Sequence, residues 1–306
     1  MDQNNLATLV GGSGFIGQNL VRALVEAGWT VRVAVRNPAA ASELKAIGEP
    51  HQVELVEANV RLKDSIAAAV SGADAVVSLV GILAQTGQQT FAALQANGAK
   101  NVAEAAKAAG VPRFVQMSAI GATADSPAEY ARTKAAGEAA AKEANPETIV
   151  VRPSIVFGPG DKFFNRFADM AKISPALPLV GAETKFQPVF VGDVAAFTAK
   201  AVMGDVPPGK TYELGGPDIK TFRQLMQQML GIMGKKRALV PLPFGVANLQ
   251  AKALSVLPSP PITEDQVKLL RRDNVVSQSA IAEGRTFDAA GMTPKHLAAI
   301  LPTYLG

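Results

Sequence analysis

The chain contains no cysteine and only two histidines, His51 and His296, in 306 residues. Without thiols there is no disulfide framework, no Cys-ligated zinc or iron–sulfur site and no thiol nucleophile. Two histidines far apart in sequence leave little material for a His-rich metal centre or a Ser–His hydrolase, so no metal is expected. No run of about 20 apolar residues is present, and no membrane-spanning helix is expected. Met1–Asn5 lacks a basic n-region and Leu6–Val10 is too short for a leader's apolar stretch, so no targeting segment is expected either. The absence of thiols fits a reducing, cytoplasmic setting. Charged residues are few, 18% against 48% apolar, which supplies a large core and argues against wholesale disorder. Thirty Lys and Arg against twenty-six Asp and Glu give +4. No Lys/Arg run interleaved with aromatics accompanies that excess, so nucleic acid is not expected; a local anion site is the alternative to an ordinary, slightly basic surface.

What is present is an alternation of two periodicities. Short β-branched runs at Leu6–Val10, Thr30–Val35, Val53–Val56, Ala75–Val80, Arg113–Met117 and Thr148–Val151 are separated by Ala-rich segments of helical spacing. The expected helices are Ile16–Ala27, Leu62–Val70, Phe91–Ala109 and Ala128–Ala144. This rhythm predicts an α/β fold, a Rossmann-type doubly wound parallel sheet with helices on both faces. After Pro153 proline and glycine become frequent, which predicts a smaller C-terminal substrate lobe. Helices are expected there at Phe163–Ala171, Val194–Met203, Phe222–Gly231, Val246–Leu257 and Thr293–Tyr304. The expected division is a dinucleotide-binding core over 1–155 and a lobe over 156–306, with 185–215 partly returning to the core.

Gly11-Gly-Ser-Gly14-Phe-Ile-Gly17 follows the first strand and opens the first helix. A sharp strand-to-helix turn favours Gly11, close backbone approach to a pyrophosphate favours Gly14, and tight helix–strand packing favours Gly17. The helix N-terminus offers free N–H groups to the anion. A nicotinamide dinucleotide is the expected ligand. At the end of the second strand, where a carboxylate would select NAD(H), the chain reads Val35-Arg36-Asn37. The Arg36 guanidinium can pair with a 2′-phosphate, so NADP(H) is expected, with NAD(H) as the alternative. Arg32, earlier on the strand, is less well placed.

Tyr130 and Lys134 lie four residues apart on an expected helix and so share a face. An ammonium close to a phenol favours the phenolate, which would make Tyr130 an acid/base for alcohol–carbonyl interconversion, and Lys134 could also hold the nicotinamide ribose.

Gly11-x-x-Gly14-x-x-Gly17, Tyr130-x-x-x-Lys134 and Arg152-Pro-Ser-x-Val-Phe-Gly158-Pro159 together resemble the extended or atypical short-chain dehydrogenase/reductase superfamily over residues 6 to about 215. Pro153-Ser-Ile-Val-Phe-Gly158, Asp161-Lys-Phe-Phe-Asn165-Arg-Phe167 and Tyr212-Glu-Leu-Gly-Gly-Pro217 are similar to the nucleotide-binding accessory subunit family of respiratory complex I and its bacterial relatives. The resemblance implies a tightly held NADP(H) with a structural role, complex I-type subunits as partners, and a peripheral position on the cytoplasmic face of the inner membrane. It places Asn97 beside the site, and Gln187-Pro-Val-Phe-Val-Gly-Asp193-Val194-Ala195 is similar to a motif that supports the site from the C-terminal side. Candidate cofactor contacts are Gly11, Ser13, Gly14, Phe15, Ile16, Gly17, Arg36, Asn59, Val60, Gly81, Tyr130, Lys134, Pro153 and Ser154; candidate catalytic residues are Tyr130, Lys134 and Ser118. Active members place a Ser or Thr after the fifth strand, where this chain reads Ser118-Ala119. With Ala119 aligned to that hydroxyl the proton-donor set is incomplete and poor turnover is expected; a shift of one residue puts Ser118 there instead. Asn59 replaces the usual adenine-side Asp, and its amide can still bond adenine. An active oxidoreductase or epimerase and a nucleotide-sensing regulator are the alternatives.

Two surface features stand apart. The Val246–Leu257 segment carries Val246, Leu249, Ala253 and Leu257 on one side and Asn248, Lys252 and Ser255 on another, for core packing or for a membrane or partner surface aided by Lys252, Arg271 and Arg272. Lys235-Lys-Arg237 reads as a solvated turn or a phosphate contact.

Overall fold

In the computed structural model, which describes residues 5–254, 260 and 262–306, the β-branched runs of the first half form one sheet. β1 (Leu6–Val10), β2 (Thr30–Val35), β3 (Val53–Glu57), β4 (Ala75–Ser78), β5 (Arg113–Met117) and β6 (Ile149–Pro153) alternate with α1 (Phe15–Glu26), α2 (Lys63–Val70), α3 (Asn97–Ala108) and α4 (Glu129–Ala144). The chain after β6 adds β7 (Val156–Phe157), α5 (Phe164–Ile173), β8 (Ala176–Val180), β9 (Lys185–Phe186), β10 (Val189–Phe190), α6 (Val191–Met203), β11 (Thr211–Leu214), β12 (Lys220–Thr221), α7 (Phe222–Ile232), β13 (Ala238–Leu242), α8 (Phe244–Leu254) and α9 (Glu264–Leu269).

The central sheet is wholly parallel, in the order β3-β2-β1-β4-β5-β6-β11. Winding reverses between β1 and β4, and the two chains leaving those strands open a crevice at their C-terminal ends, where such sheets take ligands. The strands inside the sheet bury most of both faces, while the edge strand β3 leaves Glu54 and Glu57 exposed. Leu9, Val31 and Val33 pack with Leu20, Leu24 and Phe197 on the α1/α6 side, and Val10, Val76 and Phe114 pack with Val102 and Ala106 on the other. Residues 211–214 therefore supply the seventh strand, and α6 lies against α1. A separate core of Phe157, Phe164, Leu177, Leu179, Phe222 and Leu225 forms among the elements that follow β6. Their small sheets, β7 with β10, β9 with β12 and β8 with β13, are two to five residues long and carry no pattern that period-2 reading detects.

Three expected helices differ. Phe91–Ala109 is broken, with a π-turn at Ala92–Ala96 before α3. There Gly137 of α4 lies so close to the Gln95 carbonyl that a Cβ would strike it, so close packing at this crossing accompanies the irregular turn. Thr293–Tyr304 is two short turns, Leu297–Ile300 and Pro302–Leu305, because Pro302 lacks an N–H and starts a new turn. Of Val246–Leu257, α8 accounts for the part to Leu254; Ser255 and Leu257 lie outside the described residues. Its buried side is Ala247 and Ala251, while Val246 and Leu249 are 45% and 72% exposed. The core-packing reading of its larger apolar face is therefore overturned, since small alanines allow closer seating on Val180 and Val267. Among the described residues no helix is long and apolar enough to cross a membrane.

Candidate functional site

After β1, Gly11 turns with φ +84° and donates its N–H to the Ala34 carbonyl on β2 at 2.9 Å. The conformation is one that only glycine adopts at low cost. Gly14 then sits at the N-cap of α1, where no side chain caps the helix. A Cβ there would meet nothing nearer than its own loop, the Gly11 carbonyl oxygen at 3.5 Å, so the backbone faces open space. At Gly17 a Cβ would collide with the Gly12 carbonyl, so glycine is what lets α1 lie on the loop. Ser13 is exposed and Phe15 and Ile16 are half-buried. Gln18 and Asn19 donate to the Ser13 and Phe15 carbonyls at 3.0 and 2.9 Å, which holds the loop in shape. The first N–H groups of α1 thus lie at an open loop, the arrangement by which a helix N-terminus can meet an anion.

Arg36 follows β2 directly, is exposed, and has no hydrogen bond or ion pair among the described residues. Arg32 is spoken for, by Glu54 at 3.2 Å and the Ala69 and Ser71 carbonyls at 3.0 and 2.8 Å. Beyond β3, Asn59 accepts from the Arg61 N–H at 3.1 Å through its amide oxygen, leaving the amide NH2 for a base. Val60 is buried against Gly98.

Tyr130, Lys134 and Glu138 form one i, i+4 series on α4. The Lys134 ammonium is buried and donates to the Met117 carbonyl at the end of β5, 3.2 Å away. Gly81, after β4, passes so near that a Cβ there would stand 3.1 Å from the Lys134 nitrogen. Burial pulls Lys134 down to about 8, against the opposing pull of Glu138. Glu138 cannot neutralise it directly, since Arg152 binds that carboxylate through two bonds of 2.8 and 2.6 Å. The Tyr130 ring lies edge-on to Phe91, with centroids 5.9 Å apart. Burial pushes its phenol up to about 12. The expected lowering of the phenol by Lys134 is therefore reversed, because the cost of burying a phenolate outweighs any help from the ammonium.

Ser118 follows Met117, whose carbonyl takes the Lys134 ammonium; it is buried, and its hydroxyl has no partner among the described residues. An orphaned buried hydroxyl costs free energy unless a ligand or water meets it. The open cradle at Gly14 and this hydroxyl both fit a dinucleotide lying across the strand ends. Ala119 follows Ser118, half-buried, in a segment laddered to β6 through Ser118 N–H to the Val151 carbonyl at 2.7 Å and Ile120 N–H to the Pro153 carbonyl at 3.0 Å. Pro153 is buried at the end of β6, and the Ser154 hydroxyl bonds Asn274 at 2.6 Å. Asn97 is exposed, while Gln95 in the π-turn before it is buried and donates to the Ile82 carbonyl at 2.8 Å. Asp193 is buried and accepts from the Lys295 N–H at 2.7 Å, a tie to the C-terminal segment. Among the described residues no three His, Asp or Glu side chains gather where they could hold a metal ion.

Two residues beyond the motifs help build the site. Asp265 at the start of α9 accepts the backbone N–H groups of Glu129 and Tyr130, at 2.7 and 2.9 Å. Asn274 joins Ser154 to the Ile120 carbonyl. Both are more than 100 residues away from their partners, and no local spacing signals them. Glu138 did have a signal, as the next i+4 position after Lys134.

Residues 11–157 match the family described as NAD(P)H-binding, and residues 122–241 match the RmlD substrate binding domain. The chain is 36% identical over 289 residues to the Arabidopsis thaliana mitochondrial NADH dehydrogenase (ubiquinone) 1 alpha subcomplex subunit 9, covering 90% of this chain and 72% of that one. It is 30% identical to the ceramide reductase of Caulobacter vibrioides, covering 97% and 99% of the two chains. The fold superimposes on the NADPH complex of the Escherichia coli quinone oxidoreductase QOR2 with a TM-score of 0.75 at 21% identity, over 96% and 97% of the chains. Cradle, dyad and likeness agree that the chain belongs to the short-chain dehydrogenase/reductase superfamily, in the NAD(P)H-binding family of the complex I alpha subcomplex subunit 9 proteins.

Proposed function

We propose that this protein holds NADP(H) in the cradle of Gly11, Gly14 and Gly17 and serves as an accessory subunit for assembly or stability of a complex I-type NADH:quinone oxidoreductase, peripheral on the cytoplasmic face of the membrane. The observation that carries the reading is the likeness to the alpha subcomplex subunit 9 proteins along nine-tenths of the chain. The chemistry of the site supports it: a phenol raised to about 12, in a chain that carries Ala119 after Ser118, is a poor proton-donor set for turnover. When bound, the nicotinamide would supply hydride chemistry. The chain's own residues would position it, with the α1 N–H groups on the pyrophosphate, Lys134 on the ribose and Arg36 on the 2′-phosphate.

A second reading has its own support. Ser118 keeps a buried, unpartnered hydroxyl, Tyr130 and Lys134 are intact, and the ceramide reductase of C. vibrioides matches end to end. On that reading Tyr130 and Ser118 polarise a carbonyl and the protein is an active reductase. Purification with identification of the retained nucleotide separates the two. Slow nucleotide release, no consumption with carbonyl or quinone substrates, and copurification of respiratory subunits are expected. Substrate-dependent oxidation abolished by Tyr130→Phe would sink the accessory role. Arg36→Ala is expected to weaken NADP(H) by roughly tenfold to a hundredfold and NAD(H) hardly at all, the loss of one charge-assisted contact.

A further inference from the structure

The positive charge of this protein is unevenly spread. Residues 220–272 carry nine Lys and Arg (220, 223, 235, 236, 237, 252, 268, 271 and 272) against Glu264 and Asp265, a net +7 in a chain of +4. The remaining residues are therefore net negative. Part of that charge converges on a cleft of about 450 Å3 between α7 and the start of β13, lined by Arg223, Lys235, Lys236 and Arg237 over an apolar floor of Leu230 and Leu239.

Local structure accounts for some of it. Arg223 pairs with Glu183 at 2.9 Å, and Arg237 donates to the Ala171 carbonyl in the last turn of α5 at 2.8 Å and to the Lys236 carbonyl at 3.0 Å. The end of α7 is closed by its own backbone, Lys235 N–H to the Leu230 carbonyl at 2.9 Å and Gly234 N–H to Gly231 at 3.2 Å. Four cations, less one carboxylate and two helix C-termini worth about half a charge each, leave a surplus of about +2. Lys235 and Lys236 have no side-chain partner among the described residues. Gly231 keeps the cleft open, since no atom lies within 4 Å of where its Cβ would be.

We infer that this cleft is a second anion site, separate from the dinucleotide cradle, which takes a phosphate group. Two guanidinium groups fixed by Glu183 and Ala171 form its rigid side and two free ammonium groups its adaptable side, the donor set that phosphate monoesters and diesters require. Val240 on β13 and Val246 and Leu249 on α8 follow directly in sequence and are exposed, so the phosphate of an anionic lipid headgroup suits the site as well as free phosphate does.

The test uses the full chain with NADPH present. Sedimentation with phosphatidylcholine vesicles is compared with and without phosphatidylglycerol, and inorganic phosphate is titrated by calorimetry. Lys235→Ala/Lys236→Ala is expected to weaken binding to the anionic vesicles roughly thirtyfold while NADPH affinity stays unchanged. Gly231→Leu, which fills the cleft without altering charge and favours the helix, is expected to abolish the phosphate heat. Binding of vesicles and phosphate together identifies a headgroup site; phosphate without vesicles identifies a free-phosphate site. The inference is overturned if wild type binds neither, if Gly231→Leu binds phosphate as wild type does, or if the exposed control pair Lys63→Ala/Lys100→Ala loses as much vesicle affinity.

Discussion

Lys134 is where burial acts most directly on charge. Its ammonium has the Met117 carbonyl and little else, and burial brings its pKa from the ordinary 10.5 to about 8. Between those values the unfolded chain holds a proton that the folded chain has lost, so stability rises with pH in that window. Wild type is expected to gain roughly 2 kcal/mol from pH 8 to pH 9.5 relative to Lys134→Met, at 1.36 kcal/mol per unit; urea denaturation at the two pH values measures the difference. Tyr130 works in the opposite sense and later. Its folded pKa of about 12 lies above the ordinary 10, so it weakens the fold only as pH climbs beyond 10. Nucleotide binding is linked to the same ammonium. If Lys134 donates to the ribose, NADPH affinity falls as pH passes 8, and in Lys134→Met it is flat. A wild-type titration flat from pH 7 to pH 9.5 would remove the ribose from Lys134.

At the scale of elements, α4 is held at its N-terminus by a residue from another part of the chain. Ala128 is the N-cap and offers no side chain; Asp265 of α9 reaches in with both carboxylate oxygens. The carboxylate also complements the positive end of the helix. α9 is firm in its own right, with a Thr263–Gln266 capping box. Asp265→Ala is expected to cost about 1–2 kcal/mol, as for other lost caps, seen as a lower urea midpoint with an unchanged slope. Restoration by a new Asp or Ser at position 128 would show that capping alone was lost. Such a contact marks the limit of what the sequence discloses. The six strands, the cradle and the Tyr130/Lys134 face are local patterns, apolar runs, glycines three residues apart and an i, i+4 pair, and can be read directly. The cap by Asp265, the Ser154–Asn274 bond and the exposed Asn97 depend on distant chain or follow an irregular turn at a helix crossing, so no window of residues contains them. The raised phenol of Tyr130 belongs with these, because spacing shows which groups are near and not how dry their surroundings are.

For the molecule as a whole, the sheet edge and the C-terminal segment meet at Arg152. From β6 its guanidinium takes the Glu138 carboxylate of α4 in two bonds and stands 3.6 Å from Glu213 on β11. Glu213 accepts the Ser277 N–H at 2.8 Å, and its own N–H donates to the Arg285 carbonyl. One cation thus joins a helix, two strands and the chain that follows α9. Burial alone would lower the guanidinium's pKa, but Glu138 and then Glu213 outweigh it and hold it above its ordinary value. Removing Arg152 strips the buried Glu138 carboxylate of both its bonds and takes from the buried Glu213 the cation 3.6 Å away, leaving the two carboxylates only the longer-range pull of Lys134 and Arg285. Arg152→Met is expected to cost about 3–5 kcal/mol, a large share of the 5–15 kcal/mol that holds a typical domain. Arg152→Met/Glu138→Gln/Glu213→Gln keeps the shape and removes the charges, and much of the loss should return. If denaturation finds the triple variant as unstable as the single one, the network acts through geometry and not through charge balance. In that case the bidentate fork of Arg152 is itself what registers α4 against the sheet, and Arg152→Lys, which keeps the charge without the fork, should fail as badly as Arg152→Met.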